Sequence, residues 1–196
     1  MTRLKAKKAQ AKAKKSASKL PPKTSKKAPK KPKKAPKKGA TTLGALSKLA
    51  QKQVLDILDS AQSFPGLRKK GPRSVEWKTG VQLVGSAEMG RLNLEYRGKK
   101  GATDILSFSA AEPFVSLGYL GELVIAVPVL KLQAREQKHR PEDELAVLLT
   151  HGVLHLLGFD HERGAKQAKE MAEWELRLLA MNSSYRGKAS LIERTQ

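Results

Sequence analysis

The sequence contains no cysteine, and none of its apolar runs approaches the ~18–20 uncharged residues that a membrane-spanning helix needs. Without cysteine there can be no disulfide framework, zinc ribbon, thiolate-bound iron–sulfur cluster or cysteine nucleophile. The basic N-terminus has no apolar segment before a small-residue cleavage site, which argues against a secretory signal. We therefore expect a soluble, cytoplasmic protein whose 196 residues form one domain and a tail.

Acidic residues are absent from the first 55 positions, since the first one is Asp56. Residues 1–40 hold 17 of the 39 basic residues, so most of the net charge of +21 belongs to this Lys/Ala/Pro-rich segment. Such a segment cannot bury enough apolar area to offset its ordering entropy, and we expect 1–40 to be a disordered basic tail. Its lysines favour salt-sensitive contact with nucleic acid. A solubility tail is one alternative. A transit peptide is another, although such peptides are rich in arginine and residues 1–40 contain a single arginine, Arg3.

Residues 41–196 show the mixed helical and extended patterns of an α+β domain. We expect a small mixed β-sheet packed with four to five helices. Proline and glycine mark several of the helix ends. The predicted helices cover 43–63, 86–97, 128–139, 141–157 and 165–181, and the predicted strands cover 74–77, 81–84, 105–108 and 119–127.

Three of the four histidines lie within eleven residues, at positions 151, 155 and 161. The i, i+4 spacing places His151 and His155 on one face at the C-terminal end of a central helix, where both imidazoles can reach one ion. Gly158 can adopt the left-handed conformation that ends a helix, after which His161 can approach the same ion. Three imidazoles with a vacant fourth position are typical of a catalytic zinc site, although nickel, cobalt and copper also accept imidazoles.

The spacing of these histidines is also that of the metzincin peptidases, which carry a glutamate directly after the first histidine. That glutamate is the general base of peptide hydrolysis. Here the position is occupied by Gly152, which has no side chain. Without the base the reaction would lose on the order of 10²–10⁴-fold in rate. The sequence therefore disfavours a zinc peptidase and indicates a different reaction.

Three blocks between about residues 75 and 165 resemble the YbeY family, bacterial metal-dependent endoribonucleases that act as rRNA maturation factors. The family often has proline where this chain has Ala102 and Ser109. The first block is His151-Gly152-x-Leu154-His155-Leu156-x-Gly158-x-Asp160-His161, the second is Leu92-Asn93-x-x-Tyr96-Arg97-Gly98-Lys99 followed by Thr103-Asp104-Ile105-Leu106-Ser107-Phe108, and the third is Leu120-Gly121-Glu122-Leu123-Val124-Ile125.

The resemblance implies that His151, His155 and His161 hold one Zn²⁺ per chain, with no other cofactor. It also implies that Arg97 is catalytic, lying in the active-site cleft in contact with RNA. An arginine there would stabilise the negative charge of a phosphodiester transition state through bidentate hydrogen bonds. From spacing alone, a surface salt bridge would be the favoured role for Arg97, and the resemblance reverses that preference.

The leading hypothesis is a zinc-dependent, single-strand-specific endoribonuclease in domain 41–196. By resemblance it would act in late ribosome maturation, on the 3′ end of 16S rRNA, and in ribosome quality control. The implied partners are rRNA, a small-subunit ribosomal protein and an assembly GTPase, with no membrane. The alternative is a ribosome-assembly factor whose metal is mainly structural and which has no direct nuclease role.

The roles of four polar residues near these motifs stay open. Asp160 either supports a neighbouring ligand or caps a helix end. Thr103 and Asp104 either orient a loop of the cleft or hold a turn. Glu122 has no assigned role.

Overall fold

The computed structural model describes residues 42–182 and Tyr185, so the predicted tail 1–40 lies outside the described residues. Six helices and three strands follow one another along this part of the chain. They are α1 (Leu43–Ser63), α2 (Pro65–Arg68), β1 (Lys78–Val84), α3 (Ser86–Arg97), β2 (Ile105–Ser109), β3 (Tyr119–Ala126), α4 (Val127–Glu136), α5 (Pro141–Leu156) and α6 (Ala165–Met181), with a 3₁₀ turn at His161–Arg163 before α6.

The three strands form one mixed sheet in the order β1-β3-β2. In the parallel pair Val81 of β1 lies opposite Leu123 of β3, and in the antiparallel pair Phe108 of β2 lies opposite Glu122. A small mixed sheet with helices packed on it is an α+β fold, as the sequence predicted. Since β3 is central, β2 is an edge strand among the described residues.

Helices cover both faces of the sheet. Successive residues of β3 point to opposite sides, and β3 carries buried apolar residues on both of them. Leu123 and Ile125 are fully buried in the larger core, which α1, α5 and α6 also line. Val124 faces the other side and belongs to a smaller core that Met89 of α3 completes. The sheet therefore separates two apolar clusters, with α5 on one face and α3 on the other.

Helix α5 is the central helix of the larger core. Its twelve residues from Asp143 to Leu154 are all buried, and it contacts α1, α4, α6, β2 and β3. Pro141 begins it and three acidic residues lie in its first turn, where they complement the positive end of the helix dipole. Its C-terminal end is therefore held on several sides, and that end carries two of the three clustered histidines.

The predicted pair of short strands on either side of residues 78–80 is wrong. Residues 78–84 form the single strand β1, and Lys78, Thr79 and Gly80 pair with Tyr119–Glu122 of β3. The parallel partner lies some forty residues along the chain, so local pattern could not indicate this pairing. Trp77 precedes the strand and is buried, with its Nε1–H donating to the carbonyl of Pro72.

Two smaller differences concern helices. The four-residue helix α2 was not predicted, and Gly85 rather than Ser86 is the N-cap of α3. The predicted bounds of α1, 43–63, and of α6, 165–181, agree with the structure. Among the described residues, no helix combines the length and apolar character needed to cross a bilayer.

Gly152 has no room for a side chain, which yields a test of this packing. A Cβ there would lie 2.7 Å from Ile105 Cδ1 and 2.7 Å from Leu123 Cδ2. Overpacking costs about 1–3 kcal/mol, and replacing glycine in a helix returns up to ~1 kcal/mol. We expect Gly152→Ala to lower the free energy of unfolding by about 1–2 kcal/mol in urea titrations.

Gly44 provides the matched control, since no neighbouring atom lies within 4 Å of a Cβ built there. Gly44→Ala in α1 should leave stability unchanged or raise it slightly. Equal effects of the two substitutions would contradict close packing of α5 on the sheet.

Candidate metal centre and cleft

The three clustered histidines come together at the C-terminal end of α5. His151 and His155 lie one turn apart on the helix, and Gly158, with φ +84°, reverses the chain after it. The following 3₁₀ turn brings in His161. The ring centroids are 4.6 Å apart for His151 and His155, and 5.1 and 5.2 Å from those two to His161. One nitrogen of each ring lies within 4.8 Å of the others.

His151 is oriented by a buried carboxylate. Its Nδ1 lies 2.5 Å from Oε1 of Glu175, and the two side chains are 7% and 0% exposed. The hydrogen bond from Nδ1 leaves Nε2 available toward the other rings. A carboxylate behind an imidazole fixes the tautomer and raises the basicity of the opposite nitrogen, as in many metal sites.

His155 is oriented by the backbone instead. Its Nδ1–H donates to the carbonyl of Phe159 over 3.0 Å, which again leaves Nε2 for the shared space. Burial, and then the neighbouring His151 and His161, lower the pKa of His155 to about 4. The neutral imidazole that a metal requires is therefore favoured at neutral pH.

The donor set fits a metal ion that imidazoles bind, such as zinc. The Nε2 atoms of His151 and His155 are 3.0 Å apart, and His161 completes a group whose ligand atoms lie within 4.8 Å of one another. Nδ1 of His161 is buried without a hydrogen-bond partner among the described residues, so an ion would supply the missing constraint on this ring. Within that part of the chain, the group contains these three side chains alone, which leaves a fourth position for another ligand.

A cleft of about 850 Å³ opens beside the three imidazoles. The edge strand β2 lines it along its whole length, and the end of α3, Gln133 of α4 and the 3₁₀ turn close it. Arg97 lies in this cleft, in the last turn of α3. The structure thus brings Arg97 and the three histidines, which are far apart in sequence, to one cavity.

Arg97 also forms the ion pair that the sequence left as an alternative. Its Nη2 is 3.4 Å from Oε1 of Glu162, and the side chains are 38% and 64% exposed. An exposed pair of this length contributes little to stability. The guanidinium can therefore exchange Glu162 for another anion at small cost.

The open roles of two aspartates have structural answers. Asp160 accepts from the backbone N–H of Glu162 and from Nε of Arg163, both at 3.0 Å, and so caps the turn that carries His161. These bonds, the backbone one foremost, lower the pKa of Asp160. Asp104 accepts from the N–H of Ile105 at 2.8 Å and from Gln133 Nε2 at 3.0 Å, which joins the start of β2 to α4.

Thr103 and Glu122 play supporting parts. The Thr103 hydroxyl donates to Oδ1 of Asp104 over 3.1 Å, so it helps to hold that carboxylate. Glu122 accepts from the hydroxyl of Tyr119 and fills the space that a side chain at Gly80 would need. Glu122 is not among the residues that line the cleft.

Glu175 was missed by the sequence analysis, although a signal for it exists. It lies in α6 on the same apolar stripe as Met171 and Leu178, both buried. An acidic residue at a core position of an amphipathic helix needs a buried partner. Three clustered histidines upstream are the natural candidates for it.

Fold and site together define a class: α+β proteins in which three histidines that could hold a metal ion border an arginine-containing cleft. A family model described as "Endoribonuclease YbeY" matches residues 41–183. The match spans well over half of the sequence. The chain belongs to the endoribonuclease YbeY family.

Individual relatives carry the same description. An "Endoribonuclease YbeY" of Acinetobacter baumannii is 36% identical over 138 residues, which are 68% of this chain and 84% of the relative. That of Aquifex aeolicus is 41% identical over 95 residues, which are 48% of this chain and 63% of the relative. That of Bdellovibrio bacteriovorus is 49% identical over 81 residues, which are 41% of this chain and 51% of the relative. The solution structure of TM1509 from Thermotoga maritima is 29% identical with a TM-score of 0.45, covering 66% of this chain and 81% of that one.

The contact between His151 and Glu175 predicts a loss of metal affinity when the carboxylate is removed. Glu175→Gln keeps the size of the side chain but removes the charge that makes His151 a stronger ligand. We expect zinc affinity to fall about 10–100-fold in calorimetric titrations.

Glu173→Gln is the matched control, because Glu173 is exposed on the same helix. It should bind zinc as the wild type does. Equal affinities for all three proteins would show that Glu175 does not support the metal centre.

Proposed function

We propose that this protein is a zinc-dependent, single-strand-specific endoribonuclease that acts in late ribosome maturation, at the 3′ end of 16S rRNA, and in ribosome quality control. As a member of its family it is an RNA-cleaving hydrolase. The observation that carries the proposal is the single cleft that holds three imidazoles, with a fourth position free of protein ligands, together with Arg97.

In this proposal His151, His155 and His161 hold the metal. When bound, zinc supplies a coordinated water with a pKa near 7 and polarises a phosphoryl oxygen. Glu175 and the carbonyl of Phe159 keep the first two rings in the orientation that points Nε2 inward. The fold therefore orients these rings before substrate binds, so substrate binding does not have to supply the free energy of ordering them.

Arg97 is proposed to bind the scissile phosphate. Its planar guanidinium can donate two parallel hydrogen bonds to phosphoryl oxygens, whose negative charge grows in the transition state. Since Glu162 holds it only through an exposed 3.4 Å contact, a phosphodiester can displace that carboxylate.

The packing around Gly152 supports RNA over peptide as the substrate. A side chain at this position would run into the buried methyl groups of Ile105 and Leu123. The base that peptidases carry after the first histidine therefore has no space here. Phosphodiester cleavage assisted by a metal and an arginine does not need that carboxylate.

The proposals on partners and location rest on composition and on family resemblance. Contact between the basic tail and nucleic acid rests on the composition of residues 1–40, whose lysines would release counterions from RNA. A small-subunit ribosomal protein and an assembly GTPase as partners, and the cytoplasm as location, rest on family resemblance. The alternative function, an assembly factor with a mainly structural metal, makes a different prediction for the variants below.

The test compares cleavage of a single-stranded 3′ fragment of small-subunit rRNA by four proteins whose zinc content is determined. The wild type should carry about one zinc per chain and cut the RNA. His155→Ala should lose both the zinc and the cleavage, because one of three ligands is gone. Arg97→Ala should keep zinc and lose about 10²–10³-fold in rate, the usual effect of removing one transition-state donor.

Arg91→Ala is the control for Arg97→Ala. Arg91 is exposed on the same helix, pairs with Glu88 and Glu95, and is not part of the cleft. It should cut like the wild type. Equal cleavage by all four proteins would identify the nuclease as a contaminant and favour the assembly factor.

A further inference from the structure

Tyr96 places a large, exposed aromatic ring in the same cleft. It lies in the last turn of α3, directly before Arg97, and both residues line the cavity that the three histidines border. The residue is 60% exposed. Exposure alone is ordinary for a single side chain, but this ring lines the cleft that also holds Arg97 and the three histidines.

An aromatic neighbour on β2 supports the ring. Its partner is Phe108 of β2, with ring centroids 5.0 Å apart and an angle of 75° between the planes. In this edge-to-face geometry, Phe108 can cover at most one face of Tyr96. Phe108 itself packs against the smaller core, beside Met89 and Leu106. The result is a ring that Phe108 supports while the residue stays 60% exposed.

We propose that Tyr96 is a stacking platform for a nucleobase of single-stranded RNA, next to the phosphate that Arg97 binds. This inference rests on the proposed function and adds to it the residue that selects unpaired nucleotides. A base can stack on a side chain only when its own face is free, as in single strands and loops. Paired bases are covered by their neighbours and cannot occupy the site.

The charges near Tyr96 favour a nucleic acid over an apolar peptide. Arg97 follows it directly, and the exposed Lys99 and Lys100 lie just beyond the end of α3. Arg163 lines the same cleft in an ion pair with Asp160, and the carboxylates of Asp104 and Glu162 line it as well. Basic side chains beside an exposed aromatic ring are a usual means of binding single strands without strong base preference.

The experiment measures binding and cleavage of one fluorescently labelled single-stranded RNA, the rRNA 3′ fragment, by the wild type, Tyr96→Ala and Tyr96→Phe. Stacking of one base is worth roughly tenfold in affinity. We expect Tyr96→Ala to raise Kd and KM about tenfold, with a smaller change in kcat. Tyr96→Phe keeps the ring and should restore both constants, since the described residues offer the hydroxyl no hydrogen bond.

Leu94→Ala is the matched control for the loss of an exposed apolar side chain. Leu94 is 52% exposed on the same helix and does not line the cleft. It should bind and cut like the wild type. Thermal unfolding of each variant checks that the fold is unchanged.

A series of RNAs with one abasic nucleotide at successive positions identifies the stacked base. At one position the missing base should weaken binding to the wild type about tenfold and leave binding to Tyr96→Ala unchanged. Additive losses at every position would overturn the proposal, as would equal Kd values for Tyr96→Ala and the wild type. The exposed ring would then be assigned to a protein contact.

The binding measurement separates this inference from the proposed function. If the wild type binds the RNA but does not cut it, the endoribonuclease proposal fails while the Kd values still decide on stacking. If the wild type cuts and Tyr96→Ala has an unchanged KM, the stacking proposal alone fails.

Discussion

Burial of α5 on nearly all sides is the constraint on which the rest of the structure depends. This helix must pack against three helices and two strands, and its last turns must also present two imidazoles to a cleft. Gly152 serves both requirements. It follows His151 in the helix, and because it has no side chain it leaves room for the methyl groups of Ile105 and Leu123. A side chain there would require the methyl groups of Ile105 and Leu123 to shift.

Electrostatics reinforce what packing sets up. Glu175 is fully buried and hydrogen-bonds Nδ1 of His151, while the backbone carbonyl of Phe159 accepts from Nδ1 of His155. Burial lowers the pKa of His155 to about 4, so that ring stays neutral and ready for an ion. Arg97 lines the same cleft, and the ion pair given for it among the described residues is a 3.4 Å, exposed contact with Glu162. Three imidazoles that could hold a metal ion and a loosely paired guanidinium in one cleft suit an anionic substrate.

The sequence predicted the local parts of this design better than the distant ones. The bounds of α1 and α6 followed from apolar spacing, and the grouping of His151, His155 and His161 followed from helical geometry and Gly158. Pairing of β1 with β3 joins segments about forty residues apart, so no local pattern carries it. The contact between Glu175 and His151 also joins separate helices, and the apolar stripe of α6 indicates only that Glu175 needs a buried partner, without identifying His151. Arg97 was placed in the cleft by family resemblance, since its spacing alone favoured a surface salt bridge.

The central claim is that the three imidazoles hold the ion that cleavage requires. The most direct test is to strip the protein of metal and titrate zinc while recording both bound zinc and the rate of RNA cleavage. The account predicts that the rate rises in proportion to bound zinc and stops rising at about one ion per chain. Cleavage that is already complete in the stripped protein, or that does not follow bound zinc, would contradict it.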